Sequence, residues 1–315
     1  MAGGALAQNA ASLTKELTIN NEFPRDFLRS RSIVVIDAPS GTSNRINWQA
    51  IAEQVHPILR NASIDAVAYY ELQTLLSGPD ATQAFFNDIA NRAIENVIIL
   101  EVNASAKLTL TTLGKESLTQ KGNTGWQTEA ASAEEAAQAL AQATSNAGLF
   151  NQNYLIGETP EYFTTTEIGF KRRFYSYPLD LKLDKLAIPA YTFTTAGTDS
   201  LGGLESIMQA YPYEWGITDP ATTEQDLRFK GGYQFVLLYL RASPANIRSL
   251  LQYPPNESSQ PQLQYTGTNQ DPVYKFYIRQ IANNEVYMGS NWDAAANWQQ
   301  ALQNFWQGLR KDQRQ

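Results

Sequence analysis

Residues 95–113 carry Val97-Ile98-Ile99-Leu100 and then, after Asn103-Ala104-Ser105-Ala106, the alternating Lys107-Leu108-Thr109-Leu110-Thr111-Thr112-Leu113. A continuous apolar run suits a strand covered on both faces, and apolar–polar alternation suits one covered on a single face. The stretch therefore predicts a buried strand turning into an edge hairpin strand. The arrangement comes back later in the chain. Tyr233-Gln234-Phe235-Val236-Leu237-Leu238-Tyr239-Leu240 is a second apolar run, and Val273-Tyr274-Lys275-Phe276-Tyr277-Ile278 is a second alternating one. These runs decide the fold class: two tandem α/β domains, read as two copies of one unit. Each is expected to be a mixed, mostly parallel sheet with an antiparallel edge hairpin and a closing C-terminal helix.

Working outward, Ser32-Ile33-Val34-Val35-Ile36-Asp37 is a strand by its β-branched run, and Pro39-Ser40-Gly41-Thr42-Ser43-Asn44 ends it. Ile51, Val55, Ile58 and Leu59 have helical spacing, with Pro57 expected to kink or shorten the helix. Ile64-Asp65-Ala66-Val67-Ala68-Tyr69 reads as a second strand, followed by a short helix through Leu72, Leu75 and Leu76 that stops at Gly78-Pro79. Asp80 is then expected to cap a helix carrying Phe85, Phe86, Ile89 and Ile94. Strands separated by helices of this length imply parallel crossovers. After a Gly-rich turn containing Trp126, the Ala- and Glu-rich residues 132–145 read as a helix.

The second copy begins at Lys185-Leu186-Ala187-Ile188-Pro189 and continues with a helix over 201–208, a strand over 213–217 and a helix over 224–229. Its hairpin joins the Val273 strand to Glu285-Val286-Tyr287-Met288 across Ala282-Asn283-Asn284. The ends of the halves match as Gly125-Trp126 before Ala139-Leu140, and Asn291-Trp292 before Ala301-Leu302. The resulting organisation is an N-terminal arm (1–30), a first α/β domain (31–148), a junction (149–184) and a second α/β domain (185–315). The second domain carries a polar insertion near 254–272.

A chain of 315 residues fits one large domain or two ordinary ones, and 43% apolar with 17% charged residues allows real cores. The net charge of −7 argues against a nucleic-acid partner, because tracking phosphates takes clustered Lys and Arg. No apolar stretch approaches the roughly 20 residues of a membrane-crossing helix, so any envelope association is expected to be peripheral. Gly3-Gly4-Ala5-Leu6-Ala7 before Gln8 has the form of the small-residue end of a secretory signal, with Ala5-x-Ala7 as the cleavage site. The expected location is therefore periplasmic or secreted. The absence of Cys removes zinc thiolate sites and Cys nucleophiles.

The residue inventory says little about chemistry. The single histidine, His56, is expected to serve packing or surface rather than a Ser-His-Asp triad, and one His without Cys offers no His-rich metal spacing. No metal and no cofactor are expected. The loop after Asp37 lies where α/β sheets commonly bind anions. Ser40, Gly41, Thr42, Ser43 and Arg45 are therefore candidate ligand-binding residues, with Thr195, Gly197 and Thr198 as their counterparts in the second copy. Neither loop has phosphate-loop spacing. Glu71, Glu101, Asp180, Asp184, Glu214 and Asp219 are the carboxylates available for glycoside chemistry, with surface or capping roles as their default. Phe170-Lys171-Arg172-Arg173-Phe174-Tyr175-Ser176-Tyr177 is the one basic run, and makes Lys171, Arg172, Arg173 and Tyr175 candidate partner-binding residues. The closing helix presents Trp298, Leu302, Phe305, Trp306 and Leu309 on one face. Most of that face is expected in the core, with Trp298 and Trp306 as partner-binding candidates where exposed.

The order strand, helix, strand, helix, strand, hairpin resembles, in topology, small envelope-associated domains such as those of Tol-system and curli-secretion proteins. The expected function is that of a non-catalytic exported bacterial envelope protein acting in protein binding or assembly, with a protein partner or as a homo-oligomer. One alternative is a carbohydrate-binding or carbohydrate-hydrolysing protein using carboxylates in an inter-domain cleft. The other is a cytoplasmic nucleotide or small-molecule binder using the loops after Asp37 and Tyr191.

Overall fold

The computed structural model describes residues 9–38, 47–115, 117–149, 156–162, 173–174, 179–190, 201–251, 271–289 and 292–312, with backbone alone at 173, 174, 179, 180, 201 and 202. It is a mixed α/β structure with two sheets. The first contains β1 (Thr18–Ile19), β2 (Arg31–Asp37), β3 (Ala66–Glu71), β4 (Ile94–Val102), β5 (Ala106–Thr112) and β6 (Thr124–Ala130). Its helices are α1 (Ala10–Thr14), α2 (Trp48–Asn61), α3 (Leu72–Leu75), α4 (Pro79–Asn91) and α5 (Ala133–Asn146). The second contains β7 (Arg173–Phe174), β8 (Lys185–Pro189), β9 (Trp215–Thr218), β10 (Tyr233–Ala242), β11 (Val273–Gln280) and β12 (Val286–Tyr287). With it go α6 (Leu201–Met208), α7 (Glu224–Phe229), α8 (Pro244–Leu250) and α9 (Trp298–Asp312).

The strand orders are β1-β6-β5-β4-β2-β3 and β7-β12-β11-β10-β8-β9. They become one order when each strand of the second sheet is matched to the strand six before it. The sense of every pairing matches too: β2 is parallel to β3 and β4, as β8 is to β9 and β10, while β4-β5-β6 and β10-β11-β12 are antiparallel. Finer details repeat. Arg31 faces Ile94 and Ser32 faces Asn96, skipping one residue, just as Lys185 faces Tyr233 and Leu186 faces Phe235. At the same end, Arg31 approaches Asp65 at 3.7 Å and Lys185 approaches Glu214 at 3.4 Å. Asp65 O accepts from Ser32 N and Glu214 O from Leu186 N.

Each sheet buries its aliphatic strands under helices. In the first, Val34, Ile36, Ile98, Leu100, Leu108 and Leu110 meet Ile51, Val55 and Leu59 of α2 and Ala136, Ala137 and Leu140 of α5. In the second, Phe235, Leu237, Tyr239, Phe276 and Ile278 meet Leu204, Ile207 and Met208 of α6 and the apolar face of α9. The closing helices share a buried spacing, Ala133, Ala136, Ala137, Leu140 and Thr144 in α5 and Trp298, Ala301, Leu302, Phe305 and Leu309 in α9, which buries Asn304 and Trp306 besides. Contacts group Gln8–Leu75 with Phe85–Thr164, and Leu76–Ala84 with Thr165–Gln315.

Several expectations need correction. The β4–β5 hairpin is interior, because β6 pairs with the far side of β5 and β1 with β6, so the stretch at 8–30 supplies a strand as well as α1. The Gly-rich turn expected at Trp126 is strand β6. Register then makes Tyr287 the counterpart of Trp126: Ile98, Leu110 and Trp126 form one row, and Leu237, Ile278 and Tyr287 the other. Trp292 follows β12 and has no such place. Asp80 lies inside the first turn of α4, which opens at Pro79, since proline suits the first helical position. Pro57 neither breaks nor shortens α2, which runs on to Asn61. The insertion expected near 254–272 falls almost wholly outside the described residues, as does most of 149–184.

Candidate functional site

The loops proposed for ligands, with Ser40, Gly41, Thr42, Ser43, Arg45, Thr195, Gly197 and Thr198, lie outside the described residues, as do Lys171, Arg172 and Tyr175. Arg173 is described by its backbone alone, which pairs parallel with Val286. Trp298 and Trp306 are 3% and 1% exposed in the core of the second sheet's unit, so their faces serve packing.

The rim from which the first loop departs is described. Asp37, Glu101, Lys107 and Glu129 form one row across β2, β4, β5 and β6, and Glu71 ends β3 beside it. The fold thus brings Glu71 and Glu101 to the same end of the sheet. Each carboxylate there has a local partner. Asp37 Oδ2 accepts from Ala10 N at the start of α1 at 2.7 Å. Burial raises the Asp37 carboxyl above the usual range and that hydrogen bond draws it back. Glu101 accepts from Asn103 at 2.9 Å, Glu129 from Ser105 at 2.7 Å and Glu71 from Thr74 at 2.5 Å. Of the other carboxylates, Glu214 pairs with Lys185, and Asp219 Oδ1 accepts from Ala221 N at 2.8 Å in a turn. Among the described residues no group of three or more His, Asp or Glu side chains is arranged to hold a metal ion.

His56 is buried on α2, with Nδ1 2.9 Å from the Tyr69 hydroxyl and Nε2 3.0 Å from Gly157 O. A carbonyl only accepts, so Nε2 carries a proton, and in the neutral ring Nδ1 accepts from Tyr69. Both ring nitrogens are engaged within the packing. Nearby, the ends of α2 and α5 bound a groove of about 630 Å³ whose lining includes Asn61, Ser63, Gln138, Gln142 and Ser145 and no charged side chain. Both helices end on a left-handed residue, Ser63 and Gly148.

Two buried charges escaped the sequence reading. β12 stops at Tyr287, and among the described residues the next bridge to β11 is that of Ala295 with Tyr274, which leaves a gap in the ladder. Lys275 fills it: its Nζ donates to Phe276 O at 2.9 Å and Met288 O at 2.6 Å, and lies 2.7 Å from Asp293 Oδ1. The Phe305 ring sits 4.9 Å from the ammonium. Burial lifts the Asp293 carboxyl to about 6, against the pull of Lys275. Arg279 is likewise enclosed. Its Nε lies 3.1 Å from Asp80 Oδ2, its Nη1 donates to Asn284 Oδ1 at 2.8 Å, and both terminal nitrogens donate to Glu224. Burial disfavours the Arg279 charge, and the two carboxylates more than restore it. Lys275 and Arg279 alternate with Phe276 and Ile278, the pattern of a solvent face. The signal was present, but nothing in it said that this face is also covered.

No protein-family model, no curated protein and no solved structure matches the chain. Among the described residues, no helix is long and apolar enough to cross a membrane.

Proposed function

We propose that the chain is a non-catalytic, exported protein of a bacterial envelope that acts by binding or assembling with other proteins. In this reading it is built as two tandem domains of common origin, at 31–148 and 185–315, joined by the junction at 149–184. The observation that carries the reading is how the chemistry-bearing side chains are engaged. His56 is held through both ring nitrogens, Lys275 through two carbonyls and Asp293, and Arg279 through Asp80, Glu224 and Asn284. Such groups stabilise a scaffold rather than await a substrate. The matching strand orders, shared register skip and repeated basic–acidic pair support a duplication. Export rests on Ala5-x-Ala7, and docking through Lys171, Arg172, Arg173 and Tyr175 rests on their composition.

The test is expression from the full gene in the native host, followed by fractionation and isolation under native conditions. Recovery from the envelope with a stoichiometric protein partner is the expected result. Recovery as a lone chain from the cytoplasm would overturn the reading.

A further inference from the structure

Among the described residues, the two sheets differ at the outer strand that follows β2 and β8 in the order. In the first, β3 is an outer strand by order, yet its edge is occupied: Tyr69 N donates to Glu161 O at 2.8 Å, and Tyr162 bridges Tyr69 in parallel sense. Tyr162 then anchors the added segment. Its ring meets Trp48 edge-on at 5.3 Å and its hydroxyl donates to Gln49 O at 3.0 Å. Arg92 holds Glu161 at 2.7 Å.

The equivalent strand of the second sheet is β9. Register puts Ile217 where Tyr69 stands, since Ile188 faces Ile217 as Val34 faces Tyr69. Glu214 O accepts from Leu186 N, and Thr218 O accepts from Ala190 N. Alternation in a parallel ladder then turns Gly216 and Thr218 inward to β8, and the N–H and C=O groups of Trp215 and Ile217 outward. Among the described residues none pairs with those outward groups. All four residues of β9 are half-buried, whereas β3 is mostly buried. The strand reads Trp215-Gly216-Ile217-Thr218, with no charge and no proline. Natural edges are normally blunted by Lys, Pro, a bulge or a covering segment, and this one carries none of the first three.

We propose that the outer edge of β9 is a strand-addition site for an extended segment of a partner protein. The segment lies parallel to β9 and carries an aromatic side chain in the role that Tyr162 plays on β3. The chain's own use of the equivalent edge supplies both the orientation and the aromatic anchor. Backbone hydrogen bonds from Trp215 and Ile217 give affinity. This inference rests on the protein-binding reading above and names its surface.

The probe is a fluorescein-labelled peptide of residues 156–164, which includes the segment that covers β3, with a photoreactive benzoylphenylalanine replacing the tyrosine in a second preparation. It is titrated against the full chain and against Ile217→Pro and Ile217→Val. Proline removes the outward N–H without touching the ladder to β8, and edge strands tolerate it. The expected result is saturable binding, weakened at least tenfold by Ile217→Pro and less than twofold by Ile217→Val, with the photo-crosslink at 213–219. Absence of saturable binding, equal affinity for Ile217→Pro, or a crosslink elsewhere would overturn the proposal. So would a concentration-dependent dimer crosslinked through β9, which would make a second copy the occupant. Should Ile217→Pro fail to fold, the crosslink position in the unaltered chain decides alone. These outcomes are separate from the fractionation above: a partner recovered from the envelope with a silent β9 edge would sink this inference and leave the broader reading standing.

Discussion

Lys275 shows how much a single position carries. An ammonium taken out of water is tolerated here because two carbonyl oxygens accept from it and the Asp293 carboxylate balances it. Lys275→Met alone strands Asp293, and is expected to cost about 3–5 kcal/mol in urea unfolding. The double change Lys275→Met with Asp293→Leu removes both charges, and is expected to cost less than either single change. The pH dependence follows from Asp293, whose carboxyl sits at about 6 in the fold and about 3.9 in an unfolded chain. The folded state holds that proton more tightly, so this group's contribution is full below about pH 4 and is lost as pH rises through about 6. Unfolding of the wild type and Asp293→Asn compared from pH 4 to 7 should show the wild type losing stability relative to the variant as pH rises. His56 makes a parallel case: Tyr69→Phe leaves its buried Nδ1 without a donor, at an expected cost of about 1–3 kcal/mol in the same assay.

At the scale of elements, the turn into α4 is fixed by a close approach. A Cβ on Gly78 would lie 2.2 Å from Tyr239 O, while the preceding Ser77 O accepts from Arg241 N. Gly78→Ala must push two backbones apart and is expected to cost about 1–3 kcal/mol, read as a lowered melting temperature. Such contacts are invisible in sequence, and the same division runs through the whole fold. β4 and β10 were legible from their apolar runs, β11 from its alternation, and α7 from the helical pattern over 224–229. β6 was not, since Thr124-Gly125-Trp126-Gln127 has turn composition and becomes a strand only because β5 and β1 pair with both its sides. The site was less legible still. Alternation marked Lys275 and Arg279 as facing outward, and only tertiary structure supplies Asp293, Asp80 and Glu224. His56 was legible as a packing or surface residue, because one histidine without cysteine has few other roles, and the structure places it in the packing.

Across the whole molecule, two sheets share one strand order, which supports the proposal that one unit was built twice. What repeats is what the topology needs: strand order, the skipped residue after Arg31 and Lys185, and the buried spacing of the closing helices. What differs is where function is proposed, at the outer strand covered by Glu161 and Tyr162 in one sheet and, among the described residues, without such a cover at β9 in the other. The most direct measurement is residue-resolved amide hydrogen exchange on the free, full chain, comparing the two outer strands. Slow exchange is expected at Tyr69, Gly216 and Thr218, and fast exchange at Trp215 and Ile217. Protection of Trp215 and Ile217 equal to that of Gly216 and Thr218 would contradict that expectation, because the second sheet would then have no open edge to offer.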